Sequence, residues 1–131
     1  MRMGLIAVTA LIGSFMLAMT PAYSDNHIPS LLGTWSGDNN TISTKKGFKT
    51  WTKTITITEQ KDRRFIGHFI YSEGRKDFFG VIHPDNKTFT WVVPDSRGYN
   101  LGHVHSATKI SACYVESGID ATAGCSELTK K

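Results

Sequence analysis

The chain has 131 residues, 40% of them hydrophobic and 20% charged, with a formal net charge of +4. That composition excludes a disordered or fibrous protein, and the length holds one ordinary domain and not two. The basic residues lie in small scattered groups (Lys45-Lys46, Lys61/Arg63/Arg64, Arg75-Lys76, Lys130-Lys131), too few and too dispersed to argue for nucleic acid.

Residues 1–24 read as a secretory signal. Arg2 and the chain amine form a positive start, and Leu5 to Ala18 supplies the apolar segment. Ala22 and Ser24 then fit the small-residue positions of a cleavage site, which makes Asp25 the expected new N-terminus. The apolar run is broken by Thr9, Gly13 and Ser14 and falls short of the roughly 18 to 20 residues of a spanning helix, so no membrane anchor is expected. The expected location is therefore the bacterial periplasm or the extracellular space. Residues 25–131 form the single expected domain, with 14 basic against 11 acidic side chains once Arg2 is removed. That modest excess suits anionic glycans, lipid headgroups or an acidic partner, and it equally suits solvated turns.

Leu31 to Gly37 is the first structured segment, broken by Asp38-Asn39-Asn40 and followed by a Lys/Gly-rich loop to about Lys49. Thr50 to Glu59 is the clearest strand. Thr at every even position alternates with Trp51, Lys53, Ile55, Ile57 and Glu59, the signature of one wet and one buried face. Trp51, Ile55 and Ile57 are expected to point inward. Gln60 to Arg63 turns the chain, and Arg64 to Tyr71 returns. Further strands are expected at Asp77 to His83, Thr88 to Val93, Tyr99 to His105 and Thr108 to Val115. Pro84 to Lys87 and Pro94 to Gly98 carry turn chemistry between them. The tail from Glu116 to Glu127 is rich in Gly, Ala and Ser and shows no regular pattern.

Seven or eight strands at roughly 10- to 14-residue spacing, with no helical stripe, predict an all-β domain: an antiparallel up-and-down barrel, or failing closure a sandwich. Gly67 and Gly80 beside aromatics fit strands that bend in a small barrel. Cys113 and Cys125 are the only cysteines, and in an oxidising compartment they are expected to form one disulfide. A free thiol or a metal pair is the alternative.

Leu32-Gly33-Thr34-Trp35 resembles the first-strand G-x-W pattern of the calycins, the superfamily of lipocalins and avidins. The resemblance implies a barrel in which Gly33 permits close approach at a closed end and Trp35 plugs it. It covers about seven residues, with no lipocalin-like C-terminal helix and no avidin-like set of polar ligand contacts.

An eight-stranded barrel is either filled by its own side chains or holds one small ligand. For the second case Trp51, Phe69, Trp91 and Tyr99 are the expected wall residues, chosen by alternation. His103 and His105 share a strand face with backbones about 7 Å apart, a spacing able to chelate Zn²⁺ or Cu²⁺ if His83 or His68 supplies a third ligand. Two histidines on a wet face explain the same pattern. No G-x-S-x-G, H-E-x-x-H, C-x-x-C or phosphate loop occurs, and neither catalysis nor a cofactor is expected. Three functions follow: an exported binder of a small, partly apolar molecule; a module that contacts a secreted or host enzyme through Asp38–Lys49 and Pro94–Gly98; or a metal binder through His103 and His105.

Overall fold

The computed structural model describes residues 27–71 and 74–131. The expected signal segment, residues 1–24, lies outside them. Eight strands run up and down in chain order: β1 Gly33–Ser43, β2 Gly47–Lys61, β3 Arg64–Tyr71, β4 Gly74–Ile82, β5 Thr88–Val92, β6 Tyr99–Ser106, β7 Lys109–Glu116 and β8 Thr122–Lys130. Each pairs antiparallel with the next, and β8 pairs with β1, which closes the barrel and leaves no unpaired edge. Among the described residues no helix is long and apolar enough to cross a membrane.

Two segments differ from the expectation. Asp38–Lys49 is not an irregular loop, because β1 continues to Ser43 and β2 begins at Gly47. Pairing on both sides overrides the turn preference of Asp38, Asn39 and Asn40. Asn40 lies between Thr50 and Cys125 in the ladders, and the Thr50 hydroxyl donates to Asn40 Oδ1 at 2.7 Å. Only residues 44–46 turn, with Gly47 at φ +59°. The second difference is β8, drawn from the small-residue tail. Its Gly124, Ser126 and Leu128 face inward, and its backbone fills the gap between β7 and β1.

One end of the barrel is sealed. Leu31 and Trp35 are fully buried there, and the Trp35 indole N–H donates to the Leu31 carbonyl at 2.8 Å. Gln60 pins the incoming segment by accepting from the Leu31 amide at 2.8 Å and donating to the Pro29 carbonyl at 3.0 Å. Gly33 sits at φ +116°, a left-handed conformation that disfavours any side chain. The Lys130 ammonium lies 5.3 Å from the centre of the Trp35 ring.

Above this plug stands an aromatic core. Trp91 stacks with Phe78 (centroids 5.2 Å apart) and Phe89 (5.4 Å), while Phe65 meets Phe78 and Phe89 edge-on. Inward glycines make room for these rings: Gly67 opposes Phe78, Gly80 opposes Phe65, and Gly102 opposes Phe89. A Cβ at Gly67 would stand 2.6 Å from the Phe78 ring. Each buried ring contributes on the order of 1.5–3 kcal/mol through area removed from water, with more from the edge-on and stacked contacts.

Candidate functional site

Toward the other end the lumen changes character. β1, β2, β6 and β8 place Asn39, Lys53, Asn100 and Ser126 inward, all at most 8% exposed. Ser126 is satisfied locally, its hydroxyl donating to the Ala112 carbonyl at 3.3 Å. Asn100 is not: its Oδ1 is buried without a hydrogen-bond partner among the described residues. Buried amide oxygens are almost always paired, so an unpaired one in a lumen is a place for an incoming donor.

Lys53 is the only charged residue buried among the described residues. Its place follows from strand parity, since it alternates with Thr52 and Thr54 and shares a face with Trp51, Ile55 and Ile57. No carboxylate among the described residues lies within ion-pair distance. The ammonium instead faces π systems, 5.5 Å from the Trp91 ring centre and 6.0 Å from that of Phe69. Burial pushes the Lys53 ammonium down from its ordinary range to about 8, because the charged form loses its water without gaining a counter-ion.

Half-buried aromatics and the rim complete the mouth. Trp51 and Phe69 are half-buried on the lumen side of β2 and β3, and the Phe69 ring lies 5.7 Å from Tyr71. Among the described residues, the remaining titratable lumen-facing groups here, Tyr71, Lys76, Tyr114 and Glu116, sit nearer the strand ends. Lys76 reaches toward Asp95 at 3.9 Å. Tyr114 bonds Ser96 at 2.8 Å and donates to Glu116, and burial together with that carboxylate pushes its phenol up to about 12. The Pro94–Gly98 turn is thereby tied to β7.

Three of the four expected wall residues, Trp51, Phe69 and Trp91, share this lumen. Trp91 belongs to the packed stack and meets the mouth at Lys53 and at its ladder partner Asn100. Tyr99 does not line it. Inward Asn100 and Gly102 fix the parity of β6, so Tyr99 points outward and is 50% exposed. There it joins an unbroken outer row of apolar side chains in ladder register, Ile66–Phe79–Val92–Tyr99–Val115–Ala123–Ile42. An open groove of about 640 Å³ crosses part of this wall, with Ile42, Tyr99, Val115 and Ala123 in its lining.

His103 and His105 share the outer wall, ring centres 4.9 Å apart, with His105 Nε2 2.8 Å from the Ser111 hydroxyl. The third ligand that a metal site needs is not brought to them. His83 bonds Thr90 at 2.6 Å beside a turn, His68 lies on β3, and among the described residues no three His, Cys, Asp or Glu side chains gather to hold an ion. Cys113 and Cys125 form the expected disulfide, bridging directly opposed positions on β7 and β8.

The fold and mouth together define a closed eight-stranded barrel, sealed and aromatic at one end and polar inside the other. No known family model matches the chain, and no curated protein does. Among solved structures it is similar to designed barrels. One is a redesigned β-barrel at 13% identity and TM-score 0.48, covering 77% of this chain and 91% of that one. Another is a de novo designed fluorescence-activating β-barrel at 15% identity and TM-score 0.48, covering 76% and 93%. A third is the redesigned barrel mFAP0 bound to DFHBI, at 15% identity and TM-score 0.46, covering 76% and 98%. These similarities carry no ligand across to this chain.

Proposed function

We propose that this protein is exported and holds a small, partly apolar molecule in the polar half of its barrel, without covalent chemistry. Export rests on the leader pattern of residues 1–24. Kinship with the calycins belongs to the same proposal, supported by Gly33 and Trp35 at the sealed end. The observation that carries the binding role is the unpaired Asn100 Oδ1 in a lumen whose other half is closed by rings. A barrel that served only as a scaffold gains nothing from that arrangement, since an apolar residue at position 100 removes the desolvation cost.

The role is binding rather than catalysis: a buried ammonium, the amides of Asn39 and Asn100 and aromatic walls are the mix of few polar groups and apolar surface that suits a small molecule. The protein, expressed with its leader and purified from the periplasm or medium without denaturation, is examined by native mass spectrometry beside a thermal-shift screen of small molecules. The expected result is a retained mass of a few hundred daltons that leaves on unfolding, or a set of stabilising compounds weakened by Asn100→Leu. A bare mass together with no stabilising compound overturns the reading.

A further inference from the structure

The Lys53 ammonium is about nine-tenths buried and has no counter-ion among the described residues. Taking an ammonium out of water has an effective penalty of several kcal/mol. The two π faces near it, at 5.5 and 6.0 Å, return only a fraction of that. Methionine would fill the same space at no electrostatic penalty, so the charge calls for something that the described residues do not supply. A negatively charged oxygen satisfies it: in a dry site a charge-assisted hydrogen bond is about twice as strong as a neutral one.

Asn100 adds the second requirement. It lies beside Trp91 in the β5–β6 ladder, and Trp91 is the ring that Lys53 overlooks. Its free Oδ1 accepts, so the ligand must also carry an N–H or O–H. Half-buried Trp51 and Phe69 add apolar, flat-faced surface on neighbouring strands.

We propose that the lumen takes a small aromatic anion, its carboxylate or phenolate oxygen on Lys53 and a second hydroxyl or N–H group donating to Asn100. This inference rests on the ligand-binding reading above and names its chemistry.

The test uses three probes of similar size: 4-hydroxy-2-naphthoate, whose hydroxyl cannot bond its own carboxylate, its neutral amide, and 2-naphthoate without the hydroxyl. Each is titrated calorimetrically at pH 7 into the folded disulfide-bonded wild type, Lys53→Met and Asn100→Leu, with circular dichroism confirming each fold. The expected result is that wild type prefers the hydroxynaphthoate to the amide by about 10- to 100-fold and that Lys53→Met abolishes the preference while still binding the amide. Asn100→Leu is expected to erase the advantage of hydroxynaphthoate over 2-naphthoate. Equal binding of acid and amide by wild type overturns the anion and leaves ligand binding standing. Acid preference that survives in Lys53→Met overturns the assigned site. Absence of binding by all three probes at millimolar concentration overturns the aromatic class, and the native mass measurement then judges the broader reading separately.

Discussion

Replacing Lys53 with Met should stabilise the empty barrel, by an amount that depends on pH in a defined direction. Lys53 titrates at about 8 in the folded protein against 10.5 for a solvated lysine. Between those values the unfolded chain holds a proton that the folded protein has released, so wild-type stability rises with pH across that window. The gap corresponds to about 3 kcal/mol at 1.36 kcal/mol per unit. Below pH 8 the folded protein bears the whole penalty, and above 10.5 both states carry a neutral amine.

Urea unfolding of wild type and Lys53→Met at intervals from pH 6 to pH 10.5 gives the difference directly. Lys53→Met is expected to be more stable by about 2–3 kcal/mol near pH 7, with an advantage that shrinks through the window. Tyr114 works the other way: its raised phenol lowers stability as pH climbs above 10. That contribution is common to both proteins and cancels in the difference. Parallel curves, or a variant less stable at pH 7, would refute the claim that the ammonium is buried without compensation.

Two further perturbations test the scaffold. Gly102→Ala places a methyl group against the Phe89 ring and is expected to destabilise the barrel by about 1–3 kcal/mol in urea, with part of the loss recovered in the Gly102→Ala/Phe89→Leu double variant. Cys113→Ser with Cys125→Ser opens a loop spanning a 12-residue separation, and a loss of roughly 3 kcal/mol with unchanged circular dichroism is expected. A melting temperature indifferent to reduction of the wild type would contradict that figure.

Much of the architecture was legible in the sequence because period-2 alternation is a local signal. The threonine row of β2 set its parity, and the turn residues after Lys61, Ile82 and Val93 set the spacing of the meander. β8 carried no such signal: Thr122-Ala-Gly-Cys-Ser has few branched or aromatic residues, and this segment is a strand because β1 and β7 each need a partner. Asp38–Lys49 failed as a loop for the same reason, since turn propensity is weaker than two flanking ladders.

The site divides in the same way. Tyr99 was assigned inward by a pattern too short to fix its parity, and one residue of error reverses a whole strand. Lys53 could have been found: the alternation that buried Ile55 and Ile57 already placed it on their face. The usual solvation of lysine concealed it. Asn100 had no comparable signal, because its unpaired oxygen exists only once eight strands are closed.

The most direct test is to observe the Lys53 side chain itself. With lysines ¹³C-labelled at Cε, NMR titration follows Lys53, identified by its loss in Lys53→Met, with and without saturating 4-hydroxy-2-naphthoate. The free protein is expected to titrate near 8, and the anion to move that midpoint upward by a unit or more because it stabilises the charged amine. A midpoint near 10.5 in the free protein, or one that the anion leaves in place, would contradict an ammonium buried to receive a charged guest.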